Sequence, residues 1–288
     1  MKKLSGTTFM QGLAVLAFAT IVISGCKKTT PTDSDTNSSN ENAFAQARFN
    51  EAGNISDQAA ANSMTTYRTN PNANNGTILS HCATLTFDTA NHSNPDTIMV
   101  NFGPTNCLCG DGRYRRGIIY VTYTKPHYWD SLDVITLSFS NYYCDDYGIS
   151  GVKTITNEGR VAGQQTYNTT VVNGTITKPA SAGGGSFTWN SNITRKWTAG
   201  ENTPWYWLDD VYQFTGSSNG VSSSGAGYTA TIITPLTWEC ICPRWFVSGI
   251  LDFTPTGHAT RVIDYGSGVC DDVCIVTING TAYTVHMW

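Results

Sequence analysis

Ile135-Thr136-Leu137-Ser138-Phe139-Ser140 alternates apolar and hydroxyl side chains. A repeat of two is the mark of a strand with one face buried and the other in water. Working outward, Trp245, Val247, Leu251 and Phe253 share one face of a second run, and residues 113–124 and 228–238 read the same way. From about Gly76 onward no long helical periodicity appears. Four Asn-Gly pairs, at 75–76, 173–174, 219–220 and 279–280, suit tight hairpin turns with positive φ. A two-residue loop at Asn279-Gly280 predicts Ile278 opposite Thr281, Val276 opposite Tyr283 and Cys274 opposite Val285. Asn173-Gly174 likewise predicts Val172 opposite Thr175 and Val171 opposite Ile176. Residues 71–288 are therefore read as an all-β domain, with antiparallel sheets folded as a sandwich or open barrel.

Composition agrees. Of 288 residues only 13% are charged, about half the usual share for a soluble domain. Threonine fills 41 positions and aromatic residues 33, which favours strands over a helical bundle and excludes a disordered chain. The net charge of −4 argues against a nucleic-acid partner, whose binder would be basic.

The N-terminus reads as an address. Lys2 and Lys3 precede an apolar stretch, Leu13 to Ile23, too short to span a membrane. It ends in Ile23-Ser24-Gly25-Cys26, which resembles the bacterial lipobox. That resemblance implies a signal peptide over 1–25 and acylation of Cys26, palmitate among the chains; an ordinary secretory peptide is the alternative. Residues 26–42 carry almost nothing apolar and read as the lipidated cysteine and a flexible tether. Residues 43–70 are Ala- and Gln-rich and read as short helices, with Gly53-Asn54 as an interruption. Lys27 is not the aspartate that retains enterobacterial lipoproteins at the inner membrane, so the outer membrane is expected.

The stretches Asp111-Gly-Arg-Tyr-Arg-Arg-Gly-Ile-Ile-Tyr-Val-Thr-Tyr-Thr124, Ile149-Ser-Gly-Val-Lys-Thr-Ile-Thr-Asn157, Thr203-Pro-Trp-Tyr-Trp-Leu-Asp-Asp210 and Val262-Ile-Asp-Tyr-Gly-Ser-Gly-Val-Cys270 resemble a family of uncharacterised lipoproteins common in Bacteroidetes. The resemblance implies a Gram-negative, outer-membrane setting and brings no activity or catalytic residue.

Beyond Cys26 there are eight cysteines: Cys82, Cys107, Cys109, Cys144, Cys240, Cys242, Cys270 and Cys274. In an exported chain they are candidates for up to four disulfides. The two Cys-x-Cys pairs could instead supply a thiolate zinc site, which an oxidising compartment disfavours. Adjacent cysteines in Cys-x-Cys should bridge to separate partners, because one intervening residue strains a direct bond. Val100-Asn-Phe-Gly-Pro-Thr-Asn-Cys107 and Ile263-Asp-Tyr-Gly-Ser-Gly-Val-Cys270 echo one another, as two copies of one supersecondary unit or by convergence.

The segment richest in binding chemistry is Trp197 to Asp210. Trp197, Glu201, Trp205, Trp207, Asp209 and Asp210 pack rings and carboxylates into one loop. Rings beside carboxylates suit sugar recognition, and paired carboxylates could serve a carbohydrate hydrolase. The bland reading is that the tryptophans fill the core. Gly216-Ser-Ser-Asn-Gly220 matches Gly-x-Ser-x-Gly but reads as a hairpin loop, since a nucleophile elbow needs a strand before it and a helix after it. Arg113, Arg115 and Arg116 with Lys125 make a basic patch that could meet phosphate or acidic glycans and more often is a strand face in water, and Asp145-Asp146 reads as a solvated turn. No catalytic residue, metal site or cofactor is expected. The reading is a lipid-anchored envelope protein with a binding or structural role, its partners the membrane through the anchor and a glycan or envelope protein.

Overall fold

The structure, a computed structural model, describes residues 33, 37–63, 79, 82–88, 96–203, 206–242 and 245–286. From Ser34 onward they form one unit. The signal segment, Cys26, Asn75-Gly76, residues 64–70, Trp205 and the side chain of Trp207 lie outside the described residues.

One helix, α1 (Asn37–Ser63), precedes fourteen strands. They are β1 (Thr84–Asp88), β2 (Asp96–Asn101), β3 (Cys107–Leu108), β4 (Tyr114–Tyr123) and β5 (Val134–Cys144). Next come β6 (Tyr147–Val161), β7 (Gln164–Thr177), β8 (Ser186–Ala199), β9 (Val211–Val221) and β10 (Gly227–Glu239). β11 (Phe246–Pro255), β12 (Arg261–Ser267), β13 (Val273–Ile278) and β14 (Thr281–His286) complete the chain. All pair antiparallel in one open meander, β1-β2-β4-β5 and onward in chain order to β14, with β3 on β4. Of the expected all-β architectures this is the open one, a single sheet that does not close.

Glycines curl it. Gly117, Gly151, Gly216 and Gly249, with φ of +90°, +120°, +124° and +112°, lie at register shifts on β4, β6, β9 and β11. A Cβ on Gly216 would sit 2.1 Å from the Asn192 carbonyl oxygen, so no other residue fits. Bulges of this kind bend a sheet and increase its twist. In sheet order the four fall symmetrically about the β7–β8 pair.

The trough holds α1. Ala45, Phe49, Ala52, Ile55, Ala59 and Ala60 are at most 1% exposed, while Asn40, Ala43, Ala47, Asn50 and Asn54 line the outward stripe. Phe49 stacks on Trp189 of β8 at 5.4 Å and meets Phe139 of β5 edge-on at 5.9 Å. Burying a side chain of that size contributes about 1.5–3 kcal/mol.

Two sequence expectations change here. The helix begins at Asn37, inside the expected tether, and it runs unbroken through Gly53-Asn54 where separate short helices were expected. Its early polar residues are buried because the sheet supplies partners. Asn42 Oδ1 accepts from Trp189 Nε1 and from the Ser218 hydroxyl, both at 2.9 Å. Glu41 accepts from the Ser223 amide at 2.8 Å and pairs with Lys178.

The Asn-Gly pairs divide. At Asn279-Gly280 the three expected pairings are all present. Asn173-Gly174 makes no hairpin: β7 runs through it, and its positive φ of +54° serves a bulge opposite Gly151. Asn219-Gly220, and with it the whole Gly216 to Gly220 motif, lies within β9 rather than in a loop. Along β11 the alternation breaks at Gly249, and Phe246 joins the ring contacts with Phe214 and Tyr265.

The echo is real at the turn. Gly103 N donates to Asn101 Oδ1 at 2.8 Å, and Gly266 N donates to Asp264 Oδ1 at 2.9 Å. After β2 the chain turns inward in the sheet to β4, whereas after β12 it turns outward to β13. The match is thus one local contact used at two places of the sheet.

Candidate functional site

Cross-strand register assembles two rows of side chains on the face that carries α1. Tyr167, Arg195, Phe214 and Leu236 stand opposite one another on β7, β8, β9 and β10. Two residues along, Trp197, Tyr212, Trp238 and Phe246 form the second row on β8 to β11. Trp197 stacks on Tyr212 at 5.6 Å, Tyr212 meets Trp238 at 6.0 Å, and Phe246 bridges Phe214 at 5.6 Å and Tyr265 at 5.5 Å. Apart from buried Leu236 these side chains are half-buried.

Arg195 stands at the junction of the rows. Its guanidinium lies 4.6 Å from the Tyr167 ring centre and 5.1 Å from that of Tyr212. Cation–π contact with two rings fixes its plane. Towards the helix lies a buried polar group. Tyr128 Oη donates to Asp57 Oδ1 at 3.0 Å and shares a 2.6 Å hydrogen bond with Ser56. Burial pushes the Asp57 carboxyl up, and Arg195, Tyr128 and Lys153 partly offset that. Lys153, 3% exposed, donates to the Phe49 carbonyl, and burial brings its ammonium down to about 8. Burial also raises the Tyr212 hydroxyl.

The loop singled out from the sequence closes over this end. Gly200 (φ +88°) makes the turn, and a Cβ there would sit 2.3 Å from Asp210 Oδ1. Glu201 accepts from Arg160 at 2.5 Å. Asp209 Oδ2 accepts from the Thr203 hydroxyl at 2.6 Å, while Asp210 is buried and accepts from Tyr212 Oη at 3.4 Å. Each of the three carboxylates thus has a partner of its own. Trp197 is the one tryptophan of the loop region whose side chain is described, and its buried Nε1 has no hydrogen-bond partner among the described residues.

A second polar cluster corrects the basic patch. Arg115 is fully buried, paired with Glu51 of α1 and with Asp111. Glu51 also binds Arg48 at 2.7 Å. Arg113 pairs with Asp145 at 2.7 Å, and Arg116 pairs with Asp146. The patch and the acidic turn are therefore each other's partners. Arg115 follows the alternation that buries Ile119 and Val121, a signal available in the sequence; Lys153 and Asp57 carried none, because Phe49 and Tyr128 lie far along the chain.

Cysteine pairing gives two disulfides, Cys82–Cys107 and Cys242–Cys270, so each Cys-x-Cys contributes one sulfur to a distant partner. Cys109, Cys144, Cys240 and Cys274 are buried thiols, fewer bridges than the four that the count allowed. Burial pushes the Cys144 thiol up to about 12 and that of Cys240 up to about 11.

No known protein family, no curated protein and no solved structure matches the chain.

Proposed function

We propose that the chain is a lipid-anchored protein of the Gram-negative outer membrane that binds a ligand or partner without transforming it. The anchor rests on the Ile23 to Cys26 motif and on the resemblance to Bacteroidetes lipoproteins. The binding role rests on one observation: half-buried aromatic rows flank an arginine at the end of the sheet. A carbohydrate hydrolase built on Glu201, Asp209 and Asp210 has less support, since each of these is engaged within the fold.

The test joins two readouts. In a Gram-negative host, alkyne-palmitate labels the wild type and leaves Cys26→Ser unlabelled and released from membranes. Purified protein incubated with a panel of polysaccharides releases no reducing ends. A labelled Cys26→Ser variant removes the anchor, and sugar release abolished by Glu201→Gln establishes the hydrolase instead.

A further inference from the structure

We propose that Arg195 and the aromatic row beside it bind an anionic carbohydrate, the guanidinium taking a carboxylate and the rings supporting the sugar body. The proposal deepens the binding role above and rests on it. Among the described residues nothing hydrogen-bonds or ion-pairs with the Arg195 guanidinium, whose contacts are the rings of Tyr167 and Tyr212. Asp57 feels its charge at a distance, but a half-buried cation whose N–H groups contact no acid directly has lost water without replacing it, which makes an incoming acid favourable. The neighbouring carboxylates do not fill that role: Asp57 is bonded to Tyr128, Glu201 to Arg160 and Asp210 to Tyr212. With its plane held by two rings, the planar fork can make two parallel bonds to a carboxylate, a geometry lysine cannot reproduce.

The rings set the rest of the ligand. Trp197, Tyr212 and Trp238 continue from Arg195 as one line of apolar rings at 5.6 and 6.0 Å spacing. These rings are half-buried. Two clefts, of about 390 and 310 Å³, lie elsewhere, beside Gly249 and Gly117. An acyl chain gains from enclosure of every methylene, whereas a sugar ring with apolar patches and outward hydroxyls suits a half-exposed platform. A sugar that carries its acid on the ring satisfies both parts of the site.

Calorimetry on the full mature chain in non-ionic detergent decides this, with oligogalacturonate, its methyl ester and laurate as probes. The expected result is binding of the oligogalacturonate, weakened about tenfold or more by esterification and by Arg195→Gln, and only partly restored in Arg195→Lys. Equal binding of the ester, unchanged binding by Arg195→Gln, preference for laurate, or no binding overturns the proposal. If Arg195→Gln loses its near-ultraviolet circular dichroism, the acid and ester comparison on the wild type decides alone. Cys26 labelling does not depend on this site, so failure here leaves the anchor standing.

Discussion

Lys153 Nζ on β6 donates a 2.8 Å hydrogen bond to the Phe49 carbonyl on α1, so a buried ammonium grips the helix backbone. Gly53, one turn along, leaves it room: a Cβ there would come within 2.9 Å of Nζ. In an exposed helix Gly→Ala stabilises by about 1 kcal/mol. Here Gly53→Ala is expected to destabilise by about 1 kcal/mol or more, because the ammonium must leave its acceptor. In a Lys153→Ala background the same change becomes stabilising. Urea denaturation of the four proteins checks the reversal, and an additive cycle contradicts it.

Lys153 also makes stability depend on pH. Below about pH 8 the side chain is charged folded and unfolded, and burial of that charge opposes folding in full. As pH rises from about 8 towards 10.5, the folded protein has released a proton that the unfolded chain still holds. Stability then rises with pH on this group's account. Lys153→Met is therefore more stable than wild type at pH 7, and its advantage shrinks by up to about 3 kcal/mol as pH approaches 10.5. Taking the difference between the two proteins cancels the buried tyrosines and thiols. A constant difference across that range refutes the assignment.

The two classes of ion pair at the other end of the sheet separate by mutation. Glu51 joins α1 to fully buried Arg115 and pairs within the helix with Arg48. Glu51→Gln removes one of the two acids of Arg115, leaving Asp111, and the acid of Arg48, and is expected to cost about 3 kcal/mol. Arg113–Asp145 has side chains 40% and 37% exposed, and Asp145→Asn is expected to cost about 0–1 kcal/mol. Similar losses in chemical denaturation would remove the distinction.

The thiols give a count. Iodoacetamide is expected to leave the folded protein unmodified, since Cys109, Cys144, Cys240 and Cys274 are buried. After guanidinium treatment without reductant it adds four groups to those residues, read by peptide mass spectrometry. Fewer than four means that a further bridge exists.

Strands were legible because alternation is local, and the Asn279-Gly280 register followed from turn geometry alone. Asn173-Gly174 misled for a physical reason: the positive φ that makes a hairpin also makes a bulge, and nothing nearby in sequence tells the two apart. The helix was half visible. Its first turns bury Ser38, Glu41 and Asn42, polar residues that mimic a tether until the fold supplies Trp189, Ser218 and Lys178 as partners. At the candidate site the tryptophans announced themselves, but Arg195 did not: the rings of Tyr167 and Tyr212 flank it only in the assembled rows.

α1 is the core of the curled sheet and fills its trough, which leaves the aromatic end for the proposed ligand. Native-state hydrogen exchange with mass spectrometry tests it on the mature protein. Amides of residues 45–60 are expected to exchange as slowly as those of β5 to β8 and to open with them in one cooperative step. Fast exchange over 45–60 while the strands stay protected would show a helix that leaves the trough, and would contradict the account.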